Sequence, residues 1–370
     1  MSISAGGSQL PEQEADVSKL LADYQLPESL GFGVEMAPVM YRADYMDGKW
    51  QSGALVPFAD VPVNPASTAL QFGQQCFEGM KAYQVESADP TLFRPNLNFR
   101  RFRKSARRLC MPEVSSSLFS EALSSITKAM RPFIPSGAGQ SLYLRPTLFG
   151  LDPHFAVKGS ERFAFLVLAS PSDAYYADPI RVMVEREDCR AAVGGTGAEK
   201  VGGNYGASLL ATERCIQKGF HQSLWLDPKS RCNIEELSAM NFMAVVDGAL
   251  CTPTLSGSIL DGVTRDAILD IARYNSIEAK DTVMPADELL ENIESGRCSE
   301  AFACGTGAIV CPISAIGEAD GKEYPLPKVN QMAMTLRSAL LDIQESRVPD
   351  PYGWVIDPRD REPLAAFLEK

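Results

Sequence analysis

Histidine is nearly absent, with only His154 and His221 among 370 residues. Neither stands near a second ligand at metal spacing, so no zinc centre is expected. The nine cysteines, an odd number spread from Cys76 to Cys311, include no C-x-x-C pair. They read as reduced thiols rather than a disulfide frame. Long apolar runs are missing too: none approaches the ~20 residues that span a bilayer, and the run at 163–169 has the length of a buried strand. The first 23 residues lack an apolar h-region and any arginine, so they resemble neither a signal nor a transit peptide, and the expected compartment is the cytoplasm. Positive charge is in deficit, 35 Lys and Arg against 47 Asp and Glu, and the net charge of −12 repels nucleic acid and anionic membranes.

What is present is ordinary globular material, 45% hydrophobic and 22% charged. At this length two domains are expected. The composition changes at 170–179, where two prolines and small polar residues suggest a connector. This divides the chain into an N-terminal arm with a small α/β domain (1–172), a linker (173–180) and a larger domain (181–370). Residues 1–28 read as a polar arm or short helix. Asp47-Gly48 and Asp247-Gly248 are hairpin turn signals. Helical periodicity or capping marks 118–134, 205–218, 264–274 and 286–294, with Gly219 and Gly296 as stops. Strand patterns fall at 141–147, 163–169, 180–185, 223–226 and 300–304.

The most informative residue is Lys200, set in Gly194-Gly195-Thr196-Gly197-Ala198-Glu199-Lys200-Val201-Gly202-Gly203-Asn204-Tyr205. Glycine lets a backbone adopt positive φ and approach a ligand closely, and a lysine presented there can form a Schiff base. A Walker loop is excluded because Lys200 lies between Glu199 and Val201, and a dinucleotide fingerprint because Lys200 takes the third glycine's place. A flexible connector with an incidental lysine remains open on this feature alone.

An aldehyde cofactor such as pyridoxal 5'-phosphate needs a phosphate seat, a carboxylate facing its pyridine nitrogen and a donor to its phenolic oxygen. Gly262-Val263-Thr264 stands where a loop enters a helix, so its backbone N–H groups and the helix dipole suit a phosphate. Gly305-Thr306-Gly307 offers a second N–H cluster and a hydroxyl; either can equally be a plain cap or turn. Residues 100–108 hold six basic side chains, for which a solvated face is expected, with one arginine turned inward sufficing for a phosphate. Glu235 and Glu236 suggest a surface turn or helix start. They lead into apolar 240–246, however, so one of them can be drawn inward against a pyridinium.

These blocks, taken in order, resemble the branched-chain amino acid aminotransferases, which are fold-type IV pyridoxal phosphate enzymes. The likeness runs from about Phe72 to Ile313. It includes Cys76-Phe77-Glu78-Gly79-Met80-Lys81-Ala82-Tyr83, Phe93-Arg94-Pro95-Asn96-Leu97-Asn98, Ser141-Leu142-Tyr143-Leu144-Arg145-Pro146-Thr147, Lys-Val-Gly-Gly-Asn-Tyr at 200–205, Glu-Leu-Ser-Ala-Met-Asn at 236–241 and Gly-Val-Thr-Arg at 262–265. The resemblance implies a homodimer with a smaller α/β N-terminal domain and a larger C-terminal domain built around a pseudo-barrel. It assigns the cofactor-bearing lysine to Lys200, the phenolic-oxygen donor to Tyr205 and the pyridine-nitrogen partner to Glu236 rather than Glu235. Arg101 becomes the phosphate arginine, completed by Val263, Thr264 and Thr306, and Arg190 lies near the cofactor. On the substrate side, Phe77 and Tyr143 should line an apolar pocket, with Thr306-Gly307-Ala308 near the substrate carboxylate and Arg145 assisting a γ-carboxylate.

The implied reaction is ping-pong transamination of branched-chain L-amino acids with 2-oxoglutarate, Lys200 also moving the substrate Cα proton. Three positions depart from the pattern, all on the substrate side: the segment Pro38-Val39-Met40, Phe72 where tyrosine is frequent, and Ala239. Two other readings stand beside this one. The first is another fold-type IV enzyme, a D-amino acid aminotransferase or aminodeoxychorismate lyase. The second is a non-covalent phosphate- or nucleotide-binding module.

Overall fold

The computed structural model describes residues 10–85, 89–175 and 178–370. They form two compact units, one comprising Met1–Asp173 with Asp350–Lys370, the other Ala174–Pro349. Of the expected polar arm at 1–28, residues 1–9 lie outside the described residues, and α1 (Leu10–Asp23) follows.

The first unit is an antiparallel sheet backed by helices. It contains β1 (Val39–Met46), β2 (Lys49–Trp50), β3 (Ala54–Pro57), α2 (Thr68–Phe72), β4 (Gln75–Phe77), β5 (Met80–Tyr83), β6 (Thr91–Phe93), α3 (Pro95–Arg108), α4 (Ser116–Met130), β7 (Ser141–Gly150) and β8 (Phe163–Ser172). The strands run in the order β6-β5-β7-β8-β1-β2, with β3 on β1 and β4 on β7. Asp47 (φ 53°) and Gly48 (φ 75°) turn β1 into β2 in the left-handed pair that the dipeptide announced. The core is aromatic. Phe119 of α4 meets Phe99 and Phe102 of α3 and Phe165 of β8, and Phe102 also meets Phe165, at centroid separations of 5.1–6.0 Å. Ser115 caps α4 by accepting the Leu118 N–H at 3.2 Å.

The second unit contains β9 (Ile180–Glu185), α5 (Gly202–Gly206), α6 (Leu209–Gln217), β10 (Gln222–Leu226), β11 (Ile234–Leu237), β12 (Asn241–Val246), β13 (Ala249–Pro253), α7 (Val263–Tyr274), β14 (Ala279–Thr282), α8 (Ala286–Glu294), β15 (Cys298–Gly305), β16 (Ile309–Gly317), β17 (Glu323–Pro325) and α9 (Gln331–Gln344). Its strands run β11-β10-β9-β16-β15-β12, and β11 also pairs with β12. Six strands therefore close into a ring, the pseudo-barrel that the resemblance implied. The closing contact is the single register pair Glu236↔Asn241.

Several elements differ from expectation. Residues 170–172 are not connector but the end of β8, because Ser172 still pairs with Ser141 of β7. The helix expected over 205–218 is two pieces, α5 and α6, broken between Gly206 and Leu209 after a glycine-rich first turn of low helix propensity. Residues 350–370, expected with 181–370, belong to the first unit: β18 (Val355–Ile356) pairs antiparallel with β6, and the Ser124 hydroxyl of α4 donates to the Arg359 carbonyl just before α10 (Arg361–Leu368). Trp354 anchors this return. Its carbonyl accepts the Arg94 N–H at 2.7 Å and its ring lies 4.4 Å from the Arg94 guanidinium. The two units are thus similar in length, not one small and one large. Among the described residues, no helix is long and apolar enough to cross a membrane.

Phe119 is fully buried and touches three other aromatic rings. Phe119→Ala should lower the unfolding free energy by ~3–5 kcal/mol in urea titration of the purified protein.

Candidate active site

The glycine loop between β9 and α5 is pinned, not loose. Gly194 is left-handed (φ 83°). Gly197 is required for a different reason: a Cβ there would lie 2.4 Å from the Ser258 carbonyl oxygen and 2.6 Å from the Ala191 Cβ. Asn204, buried in α5, donates Nδ2 to the carbonyls of Thr196 (2.7 Å) and Glu199 (2.9 Å), and its Oδ1 accepts from Thr196 Oγ1 (2.7 Å). Arg190 adds Nη1 contacts to the carbonyls of Ser258 (3.1 Å) and Gly197 (3.4 Å). Lys200 leaves this frame half-buried and donates from Nζ to Tyr205 Oη at 2.8 Å. An incidental lysine on a flexible connector does not have this setting.

Both acids of the 235–236 pair are buried, on a strand rather than a surface turn or helix start. Ser256 and Ser258 satisfy Glu235 by donating their hydroxyls to its Oε1. Glu236 has different company. Arg190 Nη1 lies 2.7 Å from its Oε1, which also accepts the Leu260 N–H at 3.1 Å, and Asn241 Nδ2 donates to its Oε2 at 3.1 Å. Burial pushes the Glu236 carboxyl up to about 7 against the lowering pull of Arg190, the Leu260 N–H and Lys200. A lone carboxylate here would be prohibitive; with these partners it is held near its titration point at neutral pH.

Asn241 links this carboxylate to the start of α7. A Cβ on Gly262, the N-cap residue, would meet Asn241 Oδ1 at 1.9 Å, so glycine is obligatory there. No side chain caps α7, which leaves the N-terminal N–H groups of Val263 and Thr264 suited to an anion. Asn241 also faces Cys304 in the β12–β15 register, so β15 brings the hairpin turn 306–308 to the same strand end. Gly305 and Ile309 close that turn. Three-residue hairpin loops ordinarily put their left-handed residue on glycine, but here it is the buried, β-branched Ile309 (φ 64°), a strain of order 1–3 kcal/mol.

The remaining site candidates fall in the first unit. Of the six basic side chains at 100–108, Arg101 alone is buried, as the one inward arginine. Glu78, fully buried, accepts its Nε at 2.6 Å and its Nη2 at 2.9 Å. Asn98 Nδ2 holds the same carboxylate at 2.8 Å. Arg145 lies over the rings of Phe77 (4.6 Å) and Tyr143 (5.2 Å) and donates to Tyr143 Oη at 2.9 Å. Gly79 makes room for that tyrosine, since a Cβ there would be 2.1 Å from its hydroxyl. Phe32 packs edge-on against Tyr143 at 5.0 Å. Phe72 ends α2 exposed and shares none of these contacts.

The family model for class IV amino-transferases matches residues 75–316. The chain belongs to the class IV aminotransferases. It is 38% identical over 331 residues to a probable branched-chain-amino-acid aminotransferase of Streptomyces coelicolor, covering 88% of this chain and 91% of that protein. It is 35% identical to branched-chain-amino-acid transaminase 1 of Bacillus subtilis, over 90% and 95% of the two chains. Among solved structures, the T.th. branched-chain amino acid aminotransferase with pyridoxamine 5'-phosphate superposes with a TM-score of 0.69 at 25% identity, over 90% of this chain and 100% of that one. The Escherichia coli branched-chain amino acid aminotransferase gives 0.68 at 25% identity, over 86% and 99%.

Four residues that contact these candidates or the Lys200 loop carry no assignment from the sequence: Asn204, Asn241, Glu78 and Phe32. Asn204 and Asn241 lie inside blocks singled out around Lys200 and Glu236, and a polar side chain amid glycines or before an apolar strand was the signal to follow. Phe32 is flanked by Gly31 and Gly33, both left-handed, a pattern that signals a turn without naming what the turn presents.

Because Glu236 titrates near 7 in the fold against an ordinary value of 4.5, its ionisation opposes folding increasingly from pH 4.5 to 7 and by a constant amount above. Cofactor-free Glu236→Gln should therefore gain stability relative to the parent as pH rises from 5 to 8, by up to roughly 3 kcal/mol. A pH-independent difference in urea midpoints between the two proteins would contradict this.

Proposed function

We propose that this aminotransferase exchanges the amino group between branched-chain L-amino acids and 2-oxoglutarate, with pyridoxal 5'-phosphate as cofactor. The observation that carries the reading is one arrangement in the second unit: Lys200 Nζ on Tyr205 Oη, with Arg190 joining the lysine's loop to the buried Glu236 carboxylate. The donor set fits the cofactor. An amine, a phenol beside it, a sequestered carboxylate and an uncapped helix start over an obligatory glycine meet the four demands of an aldehyde, a phenolic oxygen, a ring nitrogen and a phosphate.

In this reading Lys200 would hold the aldehyde carbon, Tyr205 the phenolic oxygen and Glu236 the ring nitrogen. Val263, Thr264 and Thr306 would take the phosphate. The bound cofactor supplies an electron sink for the substrate Cα. Lys200 Nζ is the base that takes the Cα proton and returns it, and Tyr205 fixes where that amine stands. Glu236, ionised beside Arg190, keeps a proton on the nitrogen it faces.

On the substrate side, Phe77 and Tyr143 are read as an apolar pocket and the N–H groups of Gly307 and Ala308 as the carboxylate seat. Arg145, already over both rings, would receive a γ-carboxylate. Each buried methylene is worth about 0.8 kcal/mol, which favours Leu, Ile and Val over smaller side chains. Relatives named for branched-chain amino acids at 35–38% identity support this over a D-amino acid aminotransferase or aminodeoxychorismate lyase. We also propose a homodimer, supported by Leu209 and Leu210 of α6 and Val193 of the glycine loop, each about two-thirds exposed. A cytoplasmic site is proposed on nine cysteines that are all free.

Borohydride treatment of the cofactor-loaded enzyme and peptide mapping should recover a pyridoxyl group on Lys200. Lys200→Ala should lose both that label and turnover, by ~10²-fold or more. A steady-state panel of L- and D-amino acids with 2-oxoglutarate should rank L-Leu, L-Ile and L-Val first; preference for D-isomers would refute the substrate assignment.

A further inference from the structure

Helix α9 is fastened to the β15–β16 hairpin at two points. Glu300 of β15 accepts the N–H groups of Met332 and Ala333, each at 2.9 Å, and so caps the helix from outside. Further along, Arg337 is half-buried and donates from Nη1 to the Ala308 carbonyl at 3.2 Å. Among the described residues, Arg337 has no carboxylate at ion-pair distance, so that carbonyl is the contact its charge serves. Ala308 is the last residue of the turn, and the next is Ile309, left-handed and buried. The peptide unit is planar, so holding the Ala308 C=O also fixes the direction of the Ile309 N–H. A strained β-branched residue persists only where its surroundings over-determine it. Arg337 is the side chain that grips the peptide bond leading into that strain.

We infer that Arg337 is a positioning residue: through the Ala308 carbonyl it holds the Thr306-Gly307-Ala308 turn and the left-handed Ile309, and thereby sets the enzyme's affinity for the substrate carboxylate without touching substrate. The inference rests on the reading of this turn as the carboxylate seat. A charge-assisted hydrogen bond to a carbonyl is stronger than a neutral one, so its loss is felt at the turn first. The chemistry at Lys200 and Glu236 is held by other contacts and is not expected to move.

In the cofactor-loaded enzyme, Arg337→Gln should raise KM for both the amino acid and the 2-oxo acid by about tenfold, with kcat little changed. Arg337→Lys, which keeps a charged donor, should recover part of the loss. Adding Ile309→Gly to Arg337→Gln should bring KM back toward the parent, because glycine takes a positive φ without strain. Ile309→Asn serves the same purpose if glycine unfolds the hairpin. Independently of activity, amide hydrogen exchange over residues 305–311 of the cofactor-free protein should quicken in Arg337→Gln and slow again in the double variant. Unchanged exchange and KM in Arg337→Gln, alongside raised KM in Ala308→Val, would overturn the inference. So would an Ile309→Gly effect that is the same with and without Arg337. If Ala308→Val leaves KM untouched, it is the carboxylate reading of the turn that fails, and the exchange result still decides whether Arg337 holds it.

Discussion

A carboxylate without water is the constraint around which the second unit is arranged. Glu236 sits at the one residue pair that closes the ring of strands, where β11 meets β12. A buried charge there is tolerable only with partners, and removing one member of such a pair costs about 3–5 kcal/mol. Arg190, the Leu260 N–H and Asn241 are those partners. Each also does a second task. Arg190 reaches the Gly197 carbonyl, Asn241 fixes the space that Gly262 leaves at the head of α7, and Leu260 leads into the same helix start. The acid, the glycine loop and the uncapped start of α7 are thus tied together by the groups that stabilise the buried acid.

The rigidity of the glycine loop follows from the same contacts. Glycine in quantity usually means freedom, yet here that freedom serves close approach. At Gly197 the backbone lies against the Ser258 carbonyl where no side chain fits, and Asn204 binds the Thr196 and Glu199 carbonyls just ahead of the lysine. The loop that presents Lys200 Nζ to Tyr205 Oη is therefore held by side-chain hydrogen bonds to its carbonyls. A lysine stem carries much rotamer entropy, and a frame of this kind lowers what must be lost when the amine is put to use.

The first unit solves a different problem, holding arginines among aromatic rings. Glu78 fixes the Arg101 guanidinium through two of its nitrogens. Arg145 instead has flat aromatic neighbours and a phenol, a setting that leaves a cation accessible while its stem stays dry. Such a grouping pairs apolar ring surface with a guanidinium, the two chemistries that the proposed transamination would use.

Much of this was legible beforehand, and the reason is locality. The two Asp-Gly turns, the glycine-flanked lysine and the uncapped start of α7 depend on residues within a few positions of one another. For those, the chain alone determined what forms. What it left open needed partners far away in sequence: whether one or both acids at 235–236 are buried and which faces Arg190, where residues 350–370 return, why Ser170 to Ser172 stay in a strand, and which carbonyl Arg337 grips. Those were decided by the closing of the β11–β12 seam, the pairing of β18 with β6 and of β8 with β7, and the seating of α9 on the β15–β16 hairpin. Burial and pairing energies arise only when distant segments meet, so no window of residues contains them.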